Sequence, residues 1–255
     1  MKKNIIGFDI MLGKNKPETI VHKDARCPFC EYNQLEHIID TCGEMTLLEN
    51  KYNVLDDSFQ TVLLETRYCG SDIPDYSAEH MHQLIRFGIK HWLSMLDSGK
   101  YKSVLFFKNF GPLSGGTMRH PHMQIIGLKN VDNSLMCEKS DFVGITIAQR
   151  GSVELNVSTE PKLGFCELNV LTKDNDETDT IADFIKISVD YIMKHYSARC
   201  QSYNIFFYRV DGAVTVKIMP RFATSPLFIG YDLRFRPNNL NMIVKDIQQI
   251  YFSKS

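Results

Sequence analysis

What this sequence lacks narrows it first. No uninterrupted apolar run approaches the roughly 18 residues that a membrane-crossing helix needs. Near the start, Ile5-Ile6-Gly7-Phe8 is cut by Asp9 and is too short for the hydrophobic region of a secretory signal. Nor is there a basic excess. Lys and Arg number 29 against 30 Asp and Glu, a formal net charge of -1, so nothing drives the chain toward a phosphate backbone and nucleic acid is not an expected partner. No Pro/Gly/Ser-rich linker divides the 255 residues. The 7 cysteines are an odd count, and Cys27-Pro28-Phe29-Cys30 has a metal or redox spacing rather than that of a disulfide lattice, which points to a reducing, cytoplasmic setting. With 44% hydrophobic and 23% charged residues, the composition is that of an ordinary globular protein and excludes disorder for most of the chain.

What is present includes a weak internal duplication. Ser103-Val-Leu-Phe-Phe-Lys-Asn-Phe110 and Tyr203-Asn-Ile-Phe-Phe-Tyr-Arg-Val210 are aromatic, strand-favouring runs 100 residues apart, bounded by Gly111-Pro112 and Asp211-Gly212. Ahead of the first, Met81, Leu84, Ile85, Ile89, Trp92, Leu93 and Leu96 recur at helical spacing after a cap residue, Ser77. Ile181, Phe184, Ile185, Val189, Ile192, Met193 and Tyr196 do the same ahead of the second. Strands are expected before each helix, at Phe59 to Thr66 and Phe165 to Thr172, and after each aromatic run, at Met123 to Leu128 and Val214 to Met219. A third helix is expected at Leu240 to Phe252. This predicts an α+β fold built from two tandem strand-helix-strand-strand repeats with a mostly antiparallel sheet. A chance likeness between two common strand-helix-strand runs is the alternative.

The most informative segment joins two strands, from Asn109 through Gly111, Ser114, Gly115, Gly116 and Thr117 to His120-Pro121-His122-Met123-Gln124. Its three glycines let backbone N–H groups approach a ligand closely and its two hydroxyls add donors, a combination suited to a phosphate. Alternation along a strand puts His120, His122 and Gln124 on one face. Two imidazoles and an amide beside such a loop suggest a phosphoryl site. The Cys27-Cys30 knuckle is open to zinc or thiol chemistry; its polar, irregular flanks favour zinc, which needs two further ligands.

Taken together, the knuckle and the His-Pro-His-Met-Gln run some ninety residues later resemble galactose-1-phosphate uridylyltransferase and its relatives in the histidine triad (HIT) superfamily, among them ADP-glucose phosphorylase and diadenosine tetraphosphate phosphorylase. The resemblance is close over residues 27–128 and holds in outline beyond. It implies a HIT-like fold, with a catalytic half at 1–145 carrying the knuckle and a degenerate half at 146–255 packed on it. His122 matches the family's nucleophile, which forms a covalent nucleotidyl-histidine, and His120 matches a zinc ligand. Counting back from Ser77 through Pro74, the family's other zinc histidine falls on Cys69. The implied structural zinc is then held by Cys27, Cys30, Cys69 and His120, with His80 or His82 the alternative to Cys69.

Thr117 sits where the family has a phosphate-binding hydroxyl, and Asn109, Gly115, Gly116 and the Gln124 amide complete the implied phosphate contacts, with Arg119 a further cation. Hydrolases of the superfamily carry a third histidine where this chain has Gln124, so transfer is implied over hydrolysis. Met123 departs from the uridylyltransferase's glycine. Asn50-Lys51-Tyr52 matches the nucleoside-contacting segment, and Tyr231 and Asp232 lie in a Gly-Tyr segment near the sugar nucleotide, where Pro226 stands in place of an expected lysine. Val214 to Met219 carries no histidine, so the second half has no site of its own. The expected activity is that of a nucleotidyltransferase or phosphorylase acting on a nucleoside diphosphate sugar or dinucleoside polyphosphate. A small-molecule nucleotide is the expected partner, and the resemblance leaves room for a homodimer. The alternatives are a catalytically inactive, zinc-containing nucleotide-binding protein and a thiol oxidoreductase using Cys27 and Cys30.

Overall fold

The computed structural model describes residues 5–132, 137–174 and 176–253; the first four residues of the opening segment lie outside them. Ten strands form one sheet: β1 (Ile38–Cys42), β2 (Met45–Glu49), β3 (Ser58–Leu64), β4 (Ser103–Phe110), β5 (His122–Leu128), β6 (Gly144–Arg150), β7 (Val153–Ser158), β8 (Leu168–Leu171), β9 (Tyr203–Val210) and β10 (Ala213–Pro220). Their order across the sheet is β1-β2-β3-β5-β4-β9-β10-β8-β7-β6, and every described pairing is antiparallel. The two aromatic runs are the central pair. Phe106 faces Phe207 with ring centroids 4.1 Å apart, and Phe110 faces Tyr203 at 5.1 Å, the cross-strand aromatic contacts that stabilise a sheet.

Among the described residues five α-helices accompany the sheet: α1 (Ile10–Lys14), α2 (Ala78–Asp97), α3 (Thr178–Tyr191), α4 (Pro226–Tyr231) and α5 (Leu240–Tyr251). Ser77 caps α2 by accepting from the His80 N–H, and the apolar stripe of α2 buries Met81, Leu84, Ile85 and Trp92. Trp92 satisfies its indole by donating to the Val104 carbonyl at 3.0 Å. That stripe, the matching ones on α3 and α5, and the inward residues of β2 to β10 make one continuous core on the helix-bearing face. The other face carries a small separate cluster of Leu48, Val62 and Leu64, against which Phe29 and Leu35 pack.

A buried charged group lies within the main core. Lys108 on β4 donates to Glu65 and lies 3.3 Å from Asp72; Tyr76 donates to Glu65 at 3.0 Å and Tyr203 to Asp72 at 2.7 Å. The Glu65 N–H in turn donates to the Pro121 carbonyl at 3.2 Å, so this group is tied to the backbone between the two histidines.

The fold is the expected mixed α+β architecture with a large antiparallel sheet. Local expectations fared unevenly. The strand expected at Phe165 to Thr172 shortens to Leu168–Leu171 because Phe165 adopts a positive φ of 66° and Glu167 turns its carboxylate onto the N–H groups of Lys162, Leu163 and Gly164. The helix expected to reach Tyr196 stops at Tyr191 and continues as a wider turn.

Candidate active site and metal cluster

β5 lies between β3 and β4, with Gln124 paired to Val62 on one side and Phe107 on the other, and His122 beside Leu64. His122 and Gln124, two residues apart, share the sheet face that carries the small apolar cluster, and both line a cleft of about 750 Å³. That volume falls within the range of small-molecule sites. Asn50, Gly115, Gly116 and Thr117 line the same cleft, whose apolar wall is Phe29, Leu35, Leu48 and Val62. Glycine is favoured at Gly115, where φ is +86°.

His122 is buried, and its Nδ1 lies 2.8 Å from the His120 carbonyl oxygen. A carbonyl only accepts, so Nδ1 carries the proton and Nε2 presents its lone pair. Burial pushes the His122 imidazole down to about 4, so the ring is neutral near neutral pH.

His120 was expected on the face shared by His122 and Gln124, yet it precedes β5 and does not line the cleft. Pro121 cannot donate to a strand ladder, and the alternation that holds for His122 and Gln124 does not extend through it. The His120 side chain is fully buried; its Nε2 lies 2.9 Å from the Thr66 carbonyl and its Nδ1 lies 3.7 Å from the Cys30 sulfur. Nε2 therefore donates and Nδ1 is free to act as a ligand. Cys27, Cys30, Cys69 and His120 bring one ligand atom each to within 4.8 Å of one another, a cluster that could hold a metal ion. Pro28–Cys30 forms a single tight turn that presents both knuckle sulfurs. Burial pushes the Cys27 thiol up to about 12 and raises Cys30 as well, so both favour the neutral thiol, and binding a cation as thiolates would release their protons.

The alternative ligands are placed elsewhere: the His80 ring packs edge-on against Tyr76 at 4.8 Å, and His82 pairs with Asp183 at 2.8 Å. All seven cysteines are free thiols.

Four other expected contact residues do not line the cleft. Asn109 is engaged through its side-chain oxygen by Asn204 at 2.6 Å. Tyr231 and Asp232 are exposed at the end of α4, and neither lines the cleft. Arg119 donates to the Lys23 carbonyl, securing the segment ahead of the knuckle. Sequence reasoning overlooked Lys16 and Arg26, both in the cleft wall. The Thr19 N–H donates to Thr117 at 2.9 Å and the Asp9 N–H to Val54 at 2.8 Å, so the N-terminal segment straps across the site and carries Lys16 there. A strap without periodicity leaves no sequence signal beyond its isolated cations.

The fold is an antiparallel sheet with core-facing helices, a cysteine knuckle against the His120-Pro121-His122 segment and a glycine-bearing loop beside it, and solved structures share that fold. A GalT-like protein from Arabidopsis thaliana superposes with a TM-score of 0.75 at 14% identity, covering 89% of this chain and 93% of that one. An ADP-glucose phosphorylase from the same plant, solved with bound ADP-glucose, superposes with a TM-score of 0.73 at 14% identity, covering 94% and 92%. At that identity the likeness is one of fold. The chain itself belongs to the DUF4931 family: the description "Domain of unknown function (DUF4931) N-terminal domain" matches residues 8–131 and the corresponding C-terminal domain matches 134–252. A DUF4931 family protein from Bacillus cereus is 38% identical, covers 85% of this chain and 100% of its own, and superposes with a TM-score of 0.77. No curated protein matches the sequence.

Proposed function

We propose that this protein is a nucleotidyltransferase or phosphorylase that works through a nucleotide carried covalently on His122. The observation that supports this most directly is the hydrogen bond from His122 Nδ1 to the His120 carbonyl, which leaves Nε2 as the unprotonated atom of a cleft-lining ring. In the first half-reaction the Nε2 lone pair attacks the α-phosphorus of a bound nucleotide. The bond from that phosphorus to the bridging oxygen breaks, and its electron pair leaves with the departing sugar phosphate or nucleoside polyphosphate. The Nδ1 proton stays on the ring, so the intermediate is a phosphorylated imidazolium whose charge the His120 carbonyl dipole faces. In the second half-reaction a phosphate oxygen of the acceptor attacks the same phosphorus and the P–N electron pair returns to Nε2.

Alignment and neutralisation of the equatorial oxygens are what the surroundings must provide. The Gly115 N–H, the Thr117 hydroxyl and the Gln124 amide are the donors, Gly116 turns the loop beside them with its own N–H held by Ser114, and Lys16 and Arg26 are cations on the same wall. An amide holds a phosphoryl oxygen but cannot shuttle a proton to water, which favours transfer over hydrolysis. The base would lie on Phe29, Leu35, Leu48 and Val62, near Asn50 and Tyr52. Asn109 supports the loop, and Tyr231 and Asp232, exposed at the end of α4, lie outside the cleft wall. A nucleoside diphosphate sugar or a dinucleoside polyphosphate is the donor of choice, and the two neighbours' names fit such a substrate.

Cys27, Cys30, Cys69 and His120 fit zinc: three thiols and an imidazole whose remaining nitrogen is committed to a backbone carbonyl are a closed tetrahedral donor set. The metal would be structural, fixing the backbone just ahead of His122. The strand order, with β1-β2-β3-β5-β4 meeting β9-β10-β8-β7-β6, supports two tandem repeats, a catalytic one at 1–145 and a degenerate one at 146–255. A reducing cytoplasmic setting suits seven free thiols.

The activity is tested by incubating the protein with UDP-glucose, ADP-glucose and diadenosine tetraphosphate, with and without inorganic phosphate, and following nucleotides by chromatography. Phosphate-dependent release of a nucleoside diphosphate by the native chain and not by His122→Ala is the expected result. Binding without turnover of any donor would favour the inactive nucleotide-binding reading.

A further inference from the structure

We propose that Asn204 and Arg221, both from the C-terminal portion of the chain, are positioning residues that hold the loop Gly111–Gly116 in the shape that meets a phosphate; this rests on the reading of His122 and that loop as a phosphoryl-transfer site. Asn109 and Asn204 are direct partners in the central β4·β9 ladder. Asn204 is buried, and its side-chain Nδ2 donates to Asn109 Oδ1 at 2.6 Å and to the Ser114 carbonyl at 3.1 Å. Its Oδ1 accepts from Arg221 Nη1 at 2.8 Å. A guanidinium can only donate, so Arg221 fixes which end of the Asn204 amide faces the loop.

A neighbouring contact acts in the same direction. The Leu113 N–H donates to the hydroxyl of fully buried Ser202 at 3.0 Å. Ser114 then closes the loop internally, donating to the Gly111 carbonyl at 2.7 Å and accepting from the Gly116 N–H at 3.2 Å. Loop backbone that lines the cleft at Gly115 and Gly116 is thus anchored at Leu113 and Ser114 by side chains of β9 and its approach, oriented in turn from the end of β10. The portion of the chain without a histidine at its equivalent strand acts on the chemistry through the loop of the other portion. Preorganised backbone donors stabilise a transition state only while their direction is fixed, which is what these contacts supply.

The test is hydrogen exchange by mass spectrometry over residues 109–118, paired with the rate of nucleotidyl adduct formation on His122. It compares the native chain with Asn204→Ala and Arg221→Met. Losing one buried hydrogen bond should quicken exchange in the loop by about tenfold, with β5 peptides and metal content unchanged. With whichever of UDP-glucose, ADP-glucose or diadenosine tetraphosphate labels the native chain, the adduct rate at saturation should fall by about tenfold while the half-saturating concentration moves by less than about twofold. If Asn204→Ala does not fold, Arg221→Met, at a half-buried position, carries the same comparison. Unchanged loop exchange in the folded variants overturns the proposal, and so does faster exchange with an unchanged adduct rate. Faster exchange in a protein whose native form takes no adduct supports the anchoring and counts instead against nucleotidyl transfer.

Discussion

His122 and His120 each use one ring nitrogen on a backbone carbonyl, and in opposite senses. His122 commits Nδ1 and frees Nε2, whereas His120 commits Nε2 and frees Nδ1 toward the cysteines. His122→Ala should therefore abolish nucleotidyl transfer while leaving metal content intact, as metal analysis beside an activity assay would show. Metal loss in that variant would mean the two histidines had been assigned each other's roles. Cys69→Ser should cut metal occupancy severalfold, since second-rank changes around such sites already cost about 10- to 100-fold in affinity. Unchanged metal would remove Cys69 from the ligand set. Lys108→Met tests the buried charges differently. It leaves Glu65 and Asp72 without their cation, at a cost of about 3–5 kcal/mol near pH 7. Burial already raises the Asp72 carboxyl against the opposing charge of Lys108, and removing that cation raises it further. A raised carboxylate binds more protons folded than unfolded, so the deficit should shrink as pH falls below neutrality toward the ordinary carboxylate range. Denaturant melts at two pH values would show this. At this scale the sequence was most legible where spacing is local: His122 and Gln124 stand two apart on one strand. Cys69 was reachable only by counting back from Ser77, and Lys16 not at all, because its place depends on a strap whose anchors at Val54 and Thr117 are far away in sequence.

Elements behave as their local chemistry dictates until a side chain intervenes. Ser77 announces α2, and the apolar stripes of α2 and α3 mark the faces that reach the core. The glycine-bearing loop separates two uses of glycine. A Cβ on Gly111 would lie 2.1 Å from the Gln201 carbonyl oxygen at a φ of +82°, whereas one on Gly115 would meet nothing within 4 Å at a φ of +86°. Gly115→Ala should cost about 1 kcal/mol from backbone strain alone. Gly111→Ala adds a backbone clash and should cost about 2–4 kcal/mol, as urea melts of the two variants would reveal. Equal costs would contradict the packing of Gly111 against β9's approach. No sequence pattern distinguishes these glycines, because the difference lies in a segment ninety residues away. The truncation of β8 was hidden for a similar reason: Glu167 looks like an outward strand residue until its carboxylate caps three N–H groups.

Across the whole molecule, β4·β9 pairing makes one sheet of what the sequence displays as two similar runs, and those aromatic runs are the seam itself. A fragment ending at residue 131 would bare the β4 edge together with Phe106, and should self-associate in sedimentation experiments rather than remain monomeric. A monomeric, stable fragment would show that the seam is dispensable. Pairing between the runs was not legible, since similarity between two segments says nothing about whether they touch. Among the described residues no helix is long and apolar enough to cross a membrane. The central claim is that His122 carries the nucleotide, and intact-protein mass after brief exposure to pooled nucleoside diphosphate sugars and dinucleoside polyphosphates tests it most directly. An acid-labile gain of one nucleoside monophosphate on the native chain, absent from His122→Ala, is the predicted result, and its mass would name the base. No gain with any donor on folded, metal-loaded protein, or an equal gain on His122→Ala, would contradict it.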